Sequence, residues 1–222
     1  VAVLLLPAAF VLRYTKSMSK KKRLIIGITA AVLSSKPHPT TAIMDEETIQ
    51  ITIEKPFGNL FRDRCVLIAA FDSNQRLLLG AKPDFYPPGI VRLLGGGVNN
   101  GEQVNDAICR ELAEETGASV PQSKIHILCK FIIQATDSQG KVYRNETYVA
   151  YVDGELKSAS PGDDVKQLVA YTRHDLHELI NAYERLNRNL WYKGIEGEFS
   201  WYDYAQVYAP IHRKVLTVLN QD

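Results

Sequence analysis

From Glu46 onward, apolar and polar positions alternate in blocks of changing period. Ile49, Ile51 and Ile53 are separated by Gln50 and Thr52, the two-residue repeat of a half-buried strand. Residues 65–71 (CVLIAAF) form a continuous apolar run, and the polar Asp72, Ser73 and Asn74 separate it from residues 76–80, so the pattern predicts a hairpin. A loop rich in proline and aromatics, 83–89, leads into a short apolar run at 90–94 and then Gly95, Gly96 and Gly97. The spacing predicts a helix over 103–116, stopped by Gly117. Two longer strands follow at 124–135 and 141–152, joined by a turn at 137–140, and 165–172 reads as a last strand. Leu176, Leu179, Ile180 and Tyr183 place an amphipathic helix over 175–186, and 205–219 reads as another. Mixed strands around one central helix, with helices at the end, predict a single α/β or α+β sandwich domain.

The 222 residues are 45% hydrophobic and 23% charged, which excludes collagen, a coiled-coil rod and a wholly disordered chain. The net charge of +1 hides a split. Residues 1–43 hold seven Lys or Arg and no acid, so the remainder holds 19 basic against 25 acidic side chains. We read 1–43 as a basic N-terminal extension and 44–222 as the functional domain. Within the extension, the apolar runs 1–12 and 24–33 are each short of the roughly 20 residues that cross a bilayer, and the basic stretch between them keeps them apart. The part from Met18 has the order of a weak secretory signal. The alternatives at this end are a product that starts near Met44, a signal or anchor, and an ordered extension. Cys65, Cys109 and Cys129 are odd in number and sit in apolar or helical contexts, so they read as buried reduced thiols and favour a cytoplasmic location.

The chemistry concentrates in residues 96–118, GGVNNGEQVNDAICRELAEETGA. On a helical wheel Val104, Ala107, Ile108 and Leu112 form the core-facing stripe. Glu111 and Glu115 fall inside that stripe and Glu114 falls on its edge. A solvated acidic face, with pairs such as Glu111 and Arg110, is the ordinary reading of such a string. Carboxylates continuing an apolar face are costly when ionised without partners, and like charges raise one another's pKa. A divalent cation removes both costs, and carboxylate oxygens suit hard Mg²⁺ or Mn²⁺.

The wider spacing decides between the two readings. Gly96, Glu102, Arg110, Glu111, Leu112, Glu114, Glu115, Gly117 and Ala118 resemble, position for position, the Nudix hydrolase signature G-x5-E-x7-R-E-U-x-E-E-x-G-U, with U aliphatic. A chance match at its seven fixed positions is on the order of one in a billion per start point. The resemblance implies an α/β/α sandwich with a mixed sheet and the box as a loop–helix–loop. It implies metal-dependent hydrolysis of a diphosphate bond in a nucleoside diphosphate linked to another group. Glu114, Glu115 and the Gly95 carbonyl would be metal ligands. Glu111 would bind a second metal or act as base, Arg110 would orient Glu111, and Glu102 would pair with Arg110. A base or extra ligand from outside the box is expected at Glu146 first, with Glu196 and Glu198 next. Arg92 is a candidate for holding phosphate, and Tyr86 or Phe85 for stacking on a base. An edge-strand arginine and packed aromatics are the competing readings of these residues.

Some features of the chain depart from the family pattern. Leu94 stands where many members have proline. The positions where a proline or tyrosine marks ADP-ribose or dinucleoside polyphosphate substrates fall near residues 134–136, Gln-Ala-Thr. Trp191, Trp201 and the nearby tyrosines read as packing or substrate-loop aromatics. The resemblance implies a small-molecule partner and a possible homodimer. The acidic domain gives no reason to expect a nucleic-acid polymer or stable membrane association. A nucleotide-sensing module without turnover is the runner-up.

Overall fold

The computed structural model describes residues 45–58, 62–156, 159–162 and 165–219. The expectations for residues 1–43 and for a start at Met44 lie outside the described residues. Among the described residues, nine strands and three α-helices follow in the order β1 (Asp45–Thr52), β2 (Arg64–Phe71), β3 (Leu77–Ala81), β4 (Arg92–Leu93), α1 (Val104–Thr116), β5 (Ile125–Thr136), β6 (Val142–Glu155), β7 (Gln167–Tyr171), α2 (Arg173–Glu184), β8 (Trp191–Gly194), β9 (Gly197–Ser200) and α3 (Trp201–Leu219).

The first seven strands form one mixed sheet in the order β1-β5-β6-β2-β3-β4, with β7 on β3. β1 runs parallel to β5 and β2 parallel to β6, while β5 and β6 are antiparallel. The expected hairpin is present, with Ala70 paired to Leu78 and Phe71 to Leu77. β2 is buried along most of its length because both faces of the sheet are covered, which is why its sequence is a continuous apolar run. On one face Val66, Ile68 and Ala70 pack against Ala107, Ile108 and Leu112 of α1. On the other, Leu67, Ala69 and Phe71 join the core that holds α2 and α3. The result is a mixed α+β fold in three layers. Among the described residues no helix is long and apolar enough to cross a membrane.

Two helix starts differ from the pattern-based expectation, each for a local reason. α2 begins at Arg173 because Thr172 and Asp175 form a reciprocal capping box, the Thr172 hydroxyl accepting from the Asp175 N–H. α3 begins at Trp201, with Trp201 and Tyr204 buried against aromatic neighbours, so packing outweighs the modest helix propensity of these residues. The stretch before it is an antiparallel hairpin, Trp191 pairing with Ser200 and Gly194 with Gly197.

Helices α2 and α3 also fix the chain just before the glycines. Tyr183 donates to the Val91 carbonyl at 2.9 Å, and the Leu93 N–H donates to His212 Nε2 at 3.2 Å. The same ring meets the Tyr208 carbonyl through Nδ1 at 2.7 Å, which assigns the proton to Nδ1. Burial depresses the His212 pKa to about 4, against an ordinary value of 6.5. The unfolded chain therefore takes up this proton first as pH falls, so the His212 contribution is intact above pH 6.5 and lost toward pH 4. Between pH 7 and pH 4, wild type is expected to lose about 3 kcal/mol more unfolding free energy than a His212→Gln variant. Parallel losses for the two proteins in urea titrations across this range would show that the ring is not held neutral by burial.

Candidate active site

The glycine segment lies along β2 as an extra backbone partner. The Val66 N–H donates to the Gly96 carbonyl at 2.9 Å, the Ile68 N–H to the Leu94 carbonyl at 2.8 Å, and the Val98 N–H to the Arg64 carbonyl at 2.9 Å. Leu94 is fully buried in the core beneath α1, so this position before the glycines is filled by an apolar side chain. Gly95 has φ of +123°, and a Cβ there would fall 2.2 Å from the Val66 carbonyl oxygen. Only glycine fits both the conformation and the gap. α1 then runs to Gly117, whose φ is 67° and whose N–H closes the helix on the Ala113 carbonyl. Past this end, the Ser160 and Gly162 N–H groups satisfy the carbonyls of Thr116 and Glu115.

Arg110 ties this loop to the helix. Its Nε donates to Glu102 at 2.9 Å and its Nη2 to the other Glu102 oxygen at 3.0 Å and to the Gly97 carbonyl at 2.7 Å. Its Nη1 donates to Glu111 at 2.7 Å and to Glu114 at 2.9 Å. The whole fork of guanidinium donors is thus committed, in a geometry that an ammonium cannot reproduce. The bond from Arg110 holds the Glu102 carboxyl below its usual range.

Glu111 and Glu115 are buried, at 7% and 3% exposure, whereas Glu114 lies on the open side of the helix. Glu115 accepts from the Gly95 N–H at 2.7 Å. Burial pushes its carboxyl up to about 7, against the opposing pull of Arg92 and that N–H. Burial also raises Glu111, with Arg110 pulling it back. Both acids line a cavity of about 1040 Å³ together with Gly95, Glu114, Arg92 and Lys82. Among the described residues no three His, Cys, Asp or Glu side chains are grouped so as to hold a metal ion. Here Glu114 is held by Arg110, and the Gly95 carbonyl accepts from Arg92 Nη2 at 2.5 Å. The donor set nonetheless fits a hard divalent cation: every donor is oxygen, and the two buried carboxylates share too little positive charge to ionise without cost.

A NUDIX domain model matches residues 61–192. The chain belongs to the NUDIX domain family. The ADP-ribose pyrophosphatase of Methanocaldococcus jannaschii is 32% identical over 113 residues, which cover 51% of this chain and 63% of that protein. The chain therefore spans less than two thirds of the length of this relative. Among solved structures, the MutT protein of Bacillus halodurans is similar with a TM-score of 0.44 at 21% identity, covering 52% of this chain and 72% of that one. The NUDIX domain of Shewanella oneidensis NrtR, complexed with ADP ribose, is similar with a TM-score of 0.42 at 21% identity, covering 57% and 89%.

Within the NUDIX box, the structure brings Glu102, Arg110, Glu111 and Glu114 into one network and sets Glu115 against Gly95. Outside it, the sequence-based candidates separate. Glu146 is not among the cavity-lining residues. It shares a face of β6 with Arg144 and Tyr148, each 3.2 Å from it, while Thr147 turns the opposite way and lines the cavity. Glu198 is paired with Lys55 at 2.5 Å and Lys193 at 3.1 Å, whereas Glu196 does line the cavity. Arg92 also lines it, with its guanidinium 5.8 Å from the Tyr208 ring centroid. Tyr86 is 6% exposed and packs on Phe85 and Trp201, so most of its surface is spent on the core. Residues 134–136 are paired in the sheet and do not line the cavity. All three cysteines are free. Only Cys129 is buried, while Cys65, near the start of β2, and Cys109, in the middle of α1 at the edge of the core, are partly exposed.

Sequence reasoning missed Lys82 and Lys166 as cavity residues, while Tyr192, one of the tyrosines read as packing or substrate-loop aromatics, also lines the cavity. Lys82 and Lys166 flank the paired ends of β3 and β7, where Ala81 faces Gln167. That juxtaposition has no signal in local spacing. Replacement of Arg110 by lysine is expected to destabilise the protein by about 1–3 kcal/mol, read from the urea midpoint. An unchanged midpoint would mean that the network contributes nothing beyond one exposed ion pair.

Proposed function

We propose that the protein hydrolyses a diphosphate bond in a nucleoside diphosphate linked to another group, with Mg²⁺ or Mn²⁺ as cofactor. The observation that carries this reading is the pair of buried carboxylates, Glu111 and Glu115, facing one cavity beside the arginine-bound loop. Glu114, Glu115 and the Gly95 carbonyl are the groups that would hold the cation. A bound divalent ion supplies neutralisation of the diphosphate oxygens and acidification of the attacking water.

The remaining work falls to the side chains. Arg110 donates to one Glu111 oxygen and so fixes the orientation of the carboxylate. Its other oxygen serves as the proton acceptor. Burial raises the pKa of Glu111, which makes it a better base near neutral pH than an exposed carboxylate. In the reaction, the water oxygen bonds to phosphorus, the bridging P–O bond breaks, and the water proton passes to Glu111. Lys82 and Arg92, both lining the cavity, offer positive charge to the phosphate oxygens. ADP-ribose is the first substrate to try, on the strength of the name given to the archaeal relative.

The test is a panel of nucleoside diphosphate derivatives, headed by ADP-ribose, incubated with Mg²⁺ or Mn²⁺. Hydrolysis of at least one is expected, and Glu111→Gln is expected to lower kcat by about 10²–10⁴-fold. Tight nucleotide binding without turnover across the panel would replace this reading with a sensing module. Full turnover by Glu111→Gln would move the base elsewhere.

A further inference from the structure

The turn of the β8–β9 hairpin and all of β9 lie beyond residue 192, where the NUDIX match ends, yet Ile195 and Glu196 line the same cavity as the box carboxylates. The hairpin is pinned at its base. Phe199 is fully buried, 5.8 Å from Phe57 and 5.1 Å from Trp201 between ring centroids, and Lys55 pairs with Glu198 at 2.5 Å. Its turn is seated against residue 58. Gly58 has φ of +56°, and a Cβ there would fall 2.1 Å from the Glu196 carbonyl oxygen, so the two backbones meet where no side chain fits.

Above this fixed base the tip places two side chains at the cavity. Ile195 is 90% exposed at the rim of the cavity, beyond a wall on which Phe85 and Tyr192 stand 5.0 Å apart. A single exposed isoleucine is ordinary on a protein surface. Here it stands next to Glu196, whose half-buried carboxylate has no hydrogen-bond or ion-pair partner among the described residues. A carboxylate accepts hydrogen bonds and donates none when ionised. A planar group with apolar faces and an N–H at its edge satisfies both features.

We propose that the tip of the β8–β9 hairpin is the base-recognition element of this cavity. Ile195, with Phe85 and Tyr192, contacts the face of the base, and Glu196 accepts from its exocyclic amino group. This rests on the reading of the substrate as a nucleoside diphosphate derivative. It selects bases that carry an amino group over those that lack one.

Nucleoside monophosphates test it without any diphosphate bond to cleave. Calorimetric affinities would be compared for AMP against purine riboside 5′-monophosphate, GMP against IMP, and CMP against UMP. In at least one pair the amino-bearing member is expected to bind roughly tenfold more tightly. Glu196→Ala should abolish that preference, and Glu196→Gln, whose amide oxygen still accepts, should keep part of it. Ile195→Ser, at an exposed site, should weaken both members of the pair alike. Equal binding within every pair, a preference that survives Glu196→Ala, or no binding of any of the six nucleotides overturns the proposal. Loss of turnover in Glu196→Ala with the preference intact also overturns it, by making Glu196 a catalytic carboxylate. A protein that keeps the preference but hydrolyses no diphosphate overturns the proposed reaction and leaves the base site standing.

Discussion

One guanidinium organises the candidate active site. Arg110 joins Glu102, the Gly97 carbonyl, Glu111 and Glu114, so it closes the glycine loop onto the helix while holding the acids of the box in place. It cannot also serve Glu115. That acid faces the Gly95 N–H across the cavity wall, and its buried carboxyl stays protonated up to about pH 7. The division of labour follows from geometry. A planar fork satisfies the carboxylates on its own side of the helix, and the one on the far side is left for something else.

The rest of the fold supports that division. The backbone of residues 94–98 is zipped onto β2, and β2 is covered on both faces, so the loop has a rigid floor. Tyr183 from α2 and His212 from α3 hold the carbonyl of Val91 and the N–H of Leu93 from the other layer. The two terminal helices therefore position a loop that they do not belong to. Residues past the NUDIX match extend this further, since the β8–β9 tip, Tyr204 and Tyr208 complete the cavity wall.

What the sequence made legible was whatever depends on neighbours within a turn or two. The period of Val104, Ile108 and Leu112, the stop at Gly117 and the alternation of Ile49 and Ile51 translate directly into α1 and β1. The spacing from Glu102 to Arg110 is long enough to require the loop, and the box pattern made that pairing readable. Long-range constraints were not legible. Glu146 was assigned toward the site, but strand parity turns Thr147 there instead, and parity depends on which face of β6 the cavity occupies. The hairpin over residues 191–200 has no strong local signal because its strands are short and mixed, and their pairing depends on Phe199 finding the aromatic core. Lys82 and Lys166 come together only because β3 pairs with β7.

On the proposed function, Glu115 is short of positive charge until a divalent cation binds. Calorimetric titration with Mg²⁺ at pH 7, in two buffers of different ionisation enthalpy, counts the protons released on binding. With the Glu115 carboxyl titrating at about 7, binding should release about half a proton per ion, and a Glu115→Gln variant should release clearly less. Mg²⁺ binding with no proton release, or no Mg²⁺ binding at all, would contradict the account.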